Sequence, residues 1–149
     1  MPAFVTFGRI LFAVLFIVSG AFKLYDITAT AKEIAEKIVI PAALTTYTSQ
    51  IETFTSMQMP QLLAIAAGAL ELIGGIMIAL NLGARFFAIL LILFVAAATF
   101  YFHDFWNQAG LEARNNMVHA LKNLSLIGGL FMIAGYGRGP RAVEPAYDV

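Results

Sequence analysis

The chain contains no cysteine and little charge, and both shortages limit what it can do. Its 149 residues cannot form disulfides, thiolate metal sites or covalently attached haem, and a dithiol reaction would have to be carried by another molecule. Charged residues make up only 12% of the sequence, against about 25% in an average soluble protein. Nine basic and nine acidic residues give no net charge. Since no tract of like charge occurs either, nucleic acid is not expected as a partner.

Several catalytic motifs are also missing. The sequence has no nucleophile motif, no phosphate-binding loop and no nucleotide-binding glycine pattern, and no catalytic triad can be assembled from it. It also shows no redox centre of its own. Hydrolase and kinase functions are therefore not expected, and electrons for a redox reaction would have to come from a partner.

Apolar residues are in excess, at 60% of the sequence, and they fall into four runs. The runs cover residues 4–24, 62–80, 84–102 and 118–136. Each is about 20 residues long, which at about 1.5 Å per residue matches a hydrocarbon core of about 30 Å. The sequence therefore predicts an all-α membrane protein, with residues 1–149 forming a single integral membrane domain of four transmembrane helices in a lipid bilayer.

The connections between the runs predict the topology. Only Asn81, Leu82 and Gly83 separate the second and third runs, so these two helices should be antiparallel neighbours. The polar connection 103–117 is also short. Short links favour an up-and-down four-helix bundle with both termini on one side.

The first connection, residues 25–60, is predicted to be a partly helical loop at the membrane interface. Thr30 and Glu33 have capping-box spacing at the start of a short amphipathic helix, which Pro41 should end. A second, threonine-rich piece at 42–54 is weakly amphipathic and suits the interfacial plane. We expect the two pieces to form a lid.

The two ends of the chain carry further expectations. Ser19, Gly20 and Ala21 resemble a signal-peptide cleavage site, but residues 1–8 carry no basic side chain, so we expect the first run to be retained as a helix. The tail 138–149 is rich in Gly, Pro and Arg and is predicted to be disordered. The lysines and arginines divide almost evenly between the two sides. Basic residues near the membrane favour the cytoplasmic side. We give most weight to those at the short connection and in the tail, such as Arg85, and therefore expect both termini in the cytoplasm.

Glu71 is the most informative residue, because it lies near the middle of the second apolar run. A carboxylate at that depth costs about 2.5 to 3.5 kcal/mol unless it is protonated or paired inside a bundle. Gly68, Glu71 and Gly75 share one helical face that allows close helix contact, so Glu71 should point toward protein.

The basic partner of Glu71 has to come from another helix. We expect Arg9 in that role, because guanidinium stays charged and binds carboxylate through two hydrogen bonds. Lys23 and Lys122 are the alternatives, since their long side chains can bridge about one helical turn. Such a pair either fixes helix register or forms part of a polar pocket.

Other polar side chains gather at the end of the bundle that holds the long loop. They are His103, Asp104, His119, Lys122 and Asn123. The two histidines either bond loop carbonyls or serve the pocket. A metal site or a bis-histidine haem lacks recognisable ligand spacing, so no metal ligand is assigned. Trp106, with Tyr101 and Tyr136, belongs to interfacial aromatic belts or to a stacking site.

The chain resembles the DoxX family of small four-helix bacterial membrane proteins along nearly its whole length. The resemblance lies in the order and spacing of RILFAVLFIVSGAFK from Arg9, ELIGG from Glu71, HDFW from His103 and KNLSLIGG from Lys122. It implies a multi-pass protein of the bacterial inner membrane. Family members are linked to membrane oxidoreductase systems, including quinone-reducing thiosulfate oxidation and oxidative-stress assemblies with a superoxide dismutase and a sulfurtransferase.

The resemblance and the polar positions together favour a membrane redox component that binds a quinone or similar amphiphile between the helices. Family residues carried onto Arg9, Lys23, Glu71, His103, Lys122 and Asn123 coincide with the polar positions described above. We predict Glu71, His103 and His119 as catalytic residues, with Glu71 relaying or balancing a proton. The predicted substrate-binding residues are Arg9, Lys23, Trp106, Lys122 and Asn123.

Two other functions are compatible with the same sequence. One is a non-enzymatic accessory subunit that scaffolds a membrane oxidoreductase complex, with ion pairs that only set helix register. The other is a small transporter, which four helices could form only as a homo-oligomer because they enclose little volume. A membrane or soluble redox protein is a candidate partner under the first two functions.

Overall fold

The computed structural model describes residues 3–136, and within them the chain forms six α-helices and no β-strand. The helices are α1 (Ala3–Tyr25), α2 (Ile27–Lys37), α3 (Thr45–Thr55), α4 (Met59–Leu80), α5 (Ala84–Phe102) and α6 (Gly110–Tyr136). Short 3₁₀ turns lie at Ala42–Leu44 and Phe105–Asn107. Four of these helices, α1, α4, α5 and α6, are long and apolar enough to cross a membrane. The predicted fold, an all-α bundle of four membrane-spanning helices with a partly helical first loop, is confirmed.

The core draws on all four long helices. Its largest fully buried side chains are Phe16 of α1, Ile78 of α4, Leu91 of α5 and Leu130 of α6. α4 packs against both α1 and α5, and α5 packs against α6. The short helix α2 lies on α4, where Ala31 and Ile34 are buried against its first turns.

Glycines allow α1 and α4 to approach closely. A Cβ added to Gly20 would clash with the backbone nitrogen of Leu72 and lie 2.6 Å from the carbonyl oxygen of Gly68. A Cβ at Gly75 would lie 3.0 Å from the backbone nitrogen of Ile17. Because backbone atoms cannot move aside as a flexible side chain can, this interface requires residues without a side chain.

Four helices start several residues from their predicted bounds: α3 begins at Thr45 rather than 42 and α4 at Met59 rather than 62, and α2 and α6 also differ. α2 begins three residues before Thr30, because the Asp26 carboxylate caps it by accepting from the Ala29 N–H at 2.9 Å. It ends at Lys37, before Pro41. α6 begins at Gly110 rather than 118, since its polar first turns continue the helix outside the apolar run that the prediction followed.

The first loop is fixed to the bundle at both of its helices. α3 is tied to α4 by Glu52, whose carboxylate accepts from the Met59 N–H at 2.6 Å. An acidic group at a helix N-terminus is stabilising there, because the terminal N–H groups carry partial positive charge. The predicted disordered tail, 138–149, lies outside the described residues.

Candidate functional site

A cavity of about 610 Å³ opens between the helices at the end of the bundle that holds α2. Its walls come from α1, α2, α4, α5 and α6, and they are mostly apolar. The polar side chains in the lining are Ser19, Lys23, Thr30, Glu33, Glu71, Tyr101, His103 and Asn123. Pockets that bind small molecules usually have about 300 to 1,000 Å³ and this mixture of apolar walls and a few polar groups. The cavity is therefore the candidate site.

Glu71 is bonded to two side chains of α1 on one side of the cavity. The carboxylate is buried, with 5% of the residue exposed. Lys23 Nζ lies 2.6 Å from Glu71 Oε2 and donates to the Ser19 hydroxyl at 2.6 Å. The Ser19 hydroxyl donates to Glu71 Oε2 at 3.1 Å. The three groups form a closed, charge-balanced triad, which lowers the cost of holding a carboxylate at this depth.

The α1 sequence places these donors by helical spacing. Ser19 and Lys23 are four residues apart, so they stand one above the other on the same face. Gly20 lies beside them and allows that face to pack against α4. A Cβ added to Gly20 would lie only 3.0 Å from the Cβ of Glu71. The triad is thus a consequence of the glycine contact between the two helices.

The expectation that Arg9 pairs with Glu71 is wrong. Arg9 Nη2 donates instead to the carbonyl oxygen of Ala79 at 3.5 Å. Ala79 lies eight residues along α4 from Glu71, which is about 12 Å at about 1.5 Å per residue. Lys23 reaches the carboxylate because the contact at Gly20 sets this part of α1 against Glu71, and the long side chain of Lys23 bridges the remaining distance.

His103 stands at another part of the lining, with its ring held from two sides. Its Nδ1 lies 3.1 Å from the Asn116 side-chain oxygen. The ring of His119 stacks on it, with centroids 5.1 Å apart and planes inclined by 12°. His119 itself is exposed and does not line the cavity.

A chain of hydrogen bonds continues from Asn116 to α2, the one of the two predicted lid pieces that lines the cavity. The Asn116 amide donates to Gln108 Oε1 at 2.7 Å, and the Gln108 amide donates to Asp104 Oδ1 at 3.1 Å. Lys37, the last residue of α2, lies 3.9 Å from the same Asp104 oxygen. These contacts connect the histidine in the cavity to the end of α2.

Asn123 lines the cavity and is held in place by hydrogen bonds to α5. Its amide donates to the Thr99 hydroxyl at 2.9 Å, and that hydroxyl donates to the Val95 carbonyl at 2.6 Å. Lys122, the next residue back along α6, is exposed and lies outside the lining. Trp106 also lies outside it, 51% exposed and packed on Phe100.

The structure thus divides the predicted site residues into two groups. It brings Lys23, Glu71, His103 and Asn123 to one cavity, while Arg9, Trp106, His119 and Lys122 lie outside the lining. Across residues 3–136 no group of three or more His, Asp or Glu side chains is placed to hold a metal ion.

Sequence reasoning missed several residues of the site. Ser19 gave a usable signal, since it precedes Lys23 by one helical turn on the same face. Glu33 and Thr30 reach the lining only because α2 folds back onto α4, which no local pattern shows. Gln108 and Asn116 are ordinary polar residues in sequence, and their connection depends on α6 starting at Gly110.

Comparison with known proteins identifies the family. The DoxX family matches residues 4–104, from α1 to just past the end of α5. The resemblance predicted for α6, from Lys122 onward, lies beyond this match and stays a prediction. Inner membrane protein YphA of Escherichia coli (strain K12) is 30% identical over 86 residues, covering 58% of this chain and 61% of that relative. The matched stretch therefore spans less than two thirds of the relative.

No solved structure matches the chain significantly. The family match nevertheless covers more than half of the sequence and includes the α1 and α4 residues of the triad. With four helices able to cross a membrane, the chain is a membrane protein, and it belongs to the DoxX family.

Proposed function

We propose that the protein is a membrane component of a redox system and binds a quinone or similar amphiphile in the cavity. The observation that carries this proposal is the composition of the lining, where apolar walls surround a few converging polar groups. An amphiphilic ring needs apolar contact over its faces and hydrogen bonds at its oxygens. The cavity offers both.

The polar groups have defined roles in this proposal. An ammonium group has three N–H donors, and Lys23 uses two of them on Ser19 and Glu71, so the third can bond a ligand oxygen. Glu71 balances the charge of Lys23 and is placed to hold or release a proton beside the ligand. His103, the residue that follows α5, supplies a second hydrogen-bonding group. Electrons for any reaction come from a partner redox protein.

The location proposed is the bacterial inner membrane, supported by the name of the relative, inner membrane protein YphA. We propose further that both termini face the cytoplasm. Arg85, which supports that orientation, lies at the end of the bundle opposite the cavity and donates to the Gly135 carbonyl of α6 at 3.4 Å. The cavity and α2 would then face the periplasmic side.

A second candidate function is an accessory subunit that scaffolds a membrane oxidoreductase complex. The observation that favours it is the position of the triad at the closest helix contact, beside Gly20. There an ion pair could serve only to fix the register of α1 against α4. The two functions differ in whether the cavity takes a ligand.

Thermal unfolding of the purified protein with and without a decyl-tailed benzoquinone tests the proposal. A ligand that binds only the folded state raises the midpoint temperature as its concentration increases. We expect such a rise for the wild-type protein and a smaller one for Lys23→Gln, each measured against its own ligand-free midpoint. No rise at any concentration, together with copurification of a soluble oxidoreductase, would favour scaffolding instead.

A further inference from the structure

The hydrogen bonds from Asp104 to His103 have a fixed direction. A carboxylate can only accept, so the Gln108 amide must turn its NH₂ toward Asp104 Oδ1, 3.1 Å away. This leaves the Gln108 oxygen to accept from the Asn116 NH₂ at 2.7 Å. The Asn116 oxygen then faces His103 Nδ1 at 3.1 Å. The Asp104 carboxylate therefore fixes the orientation of both side-chain amides, Gln108 and Asn116.

The same direction fixes the tautomer of His103. Because the Asn116 oxygen is an acceptor, His103 Nδ1 must carry the hydrogen and donate it. In the neutral ring, Nε2 is then an acceptor. Within residues 3–136 no side chain or backbone group bonds Nε2, and His103 lines the cavity. The ring therefore has an acceptor nitrogen for a ligand.

We propose that Asp104 is a positioning residue that, through Gln108 and Asn116, holds His103 as an acceptor, so that the cavity selects amphiphiles bearing a hydroxyl donor. The tautomer follows from the hydrogen bonds alone, whereas the choice of ligand rests on the function proposed above. The chemical class selected is a hydroquinone or similar phenolic amphiphile, in preference to the corresponding quinone.

The preference follows from the hydrogen-bonding capacity of the two ligand forms. The remaining N–H of Lys23 can donate to an oxygen of either form. His103 Nε2 can accept from a hydroxyl group, but a quinone carbonyl offers no hydrogen and leaves the nitrogen unpaired. A site built to bond a hydroxyl discriminates against an analogue that lacks it. We expect the hydroquinone to bind about tenfold more tightly.

Nitrogen NMR of the histidines tests the tautomer without any ligand. The chain has only two histidines, so ¹⁵N-histidine labelling gives two spin systems, and His119→Gln assigns them. At a pH of about 8.5, where an ordinary imidazole is neutral, we expect His103 Nδ1 to be protonated and Nε2 bare. A wild-type ring protonated at Nε2 instead would overturn the proposal.

Substitution of Asp104 tests its positioning role. Lysine can only donate, so Asp104→Lys should reverse the direction of each hydrogen bond between residue 104 and His103. The His103 hydrogen should then move to Nε2. Asp104→Asn, which can donate and accept, should give a mixture of tautomers and is the milder variant if lysine disturbs folding. Glu112→Lys makes the same charge change at an exposed position of α6 and should leave the tautomer unchanged. Unchanged tautomers in both Asp104 variants would refute the positioning role.

Anaerobic binding of a decyl-tailed hydroquinone and its quinone tests the selection. The wild type should prefer the hydroquinone about tenfold, and Asp104→Lys should lose or reverse that preference while Glu112→Lys keeps it. If neither form binds although His103 is protonated at Nδ1, the proposed function fails and the tautomer assignment stands. Equal affinity for both forms in the wild type would overturn the selection alone.

Discussion

A lysine and a serine on α1 make it possible for Glu71 to be charged near the middle of α4. The carboxylate accepts from both groups, and Lys23, whose side chain is 29% exposed, lines the cavity. The depth of Glu71 and its place on one face with Gly68 and Gly75 predict that it is buried in protein, because an unpaired carboxylate is too costly in lipid. Its partner could not be predicted, because the choice between Arg9 and Lys23 depends on how α1 and α4 align.

The pairing predicts energetic coupling between Lys23 and Glu71. In a double-mutant cycle with Lys23→Gln and Glu71→Gln, each single change should destabilise the protein by about 1 to 3 kcal/mol, because it leaves a buried group unpaired. The double variant should lose less than the sum of the two. Unfolding in mixed micelles monitored by circular dichroism measures these free energies.

Arg9 supplies the matched control for this cycle. Arg9→Gln removes a basic residue from the same helix, but Arg9 bonds the carbonyl of Ala79 rather than the carboxylate. Its coupling to Glu71→Gln should therefore be within about 0.5 kcal/mol of zero. A larger coupling for Arg9 than for Lys23 would contradict the described triad.

Among the helices, the contact between α1 and α4 determines the geometry of the site. Replacing Gly20 with alanine would place a methyl group against the backbone of Leu72 and Gly68. The helices would have to separate, which should destabilise the protein by about 1 to 3 kcal/mol. Gly128 of α6 has no atom within 4 Å of an added Cβ. Gly128→Ala should therefore be stabilising, by about 0.5 to 1 kcal/mol.

Unfolding free energies of the two alanine variants test this contrast in one assay. Both substitutions add the same methyl group within a long helix, so helix propensity changes equally and only the surroundings differ. Equal effects of the two changes would show that the closeness of α1 and α4 has no energetic consequence.

The docking of α2 on α4 should depend on one buried isoleucine. Ile34 is 6% exposed and packs with Ala31 and Ala64. Ile34→Ala should weaken docking of α2 by about 2 to 5 kcal/mol, which would raise amide hydrogen exchange across residues 27–37. Ile51→Ala on α3, where the side chain is 44% exposed, should leave that exchange unchanged. Equal exchange in both variants would refute the docking of α2 through Ile34.

The helices show what local pattern can and cannot predict. Hydropathy located the four spans because apolar runs of bilayer length have no other stable environment. It missed the start of α6, because polar residues from Gly110 continue the helix without adding to the apolar run. It also could not show that α2 folds back over α4, since that contact depends on tertiary packing of two small hydrophobic faces.

For the whole molecule, the absence of native cysteine makes the proposed orientation directly measurable. Leu82→Cys marks the turn between α4 and α5, and Lys32→Cys marks the exposed face of α2. With the cavity on the periplasmic side, a membrane-impermeant maleimide should label position 32 in intact cells and position 82 only after lysis. The reverse order of labelling would place the termini outside the cytoplasm.

If a ligand occupies the cavity between the helices, a large side chain placed in the lining should exclude it. Ala98 lines the cavity, whereas Ala96 on the same helix is exposed and lies outside the lining. Quenching of the single tryptophan, Trp106, by a decyl-tailed hydroquinone gives the binding isotherm. We predict saturable binding that Ala98→Phe abolishes and Ala96→Phe preserves. Equal binding by both variants, or none by the wild type, would show that this cavity is not a ligand site.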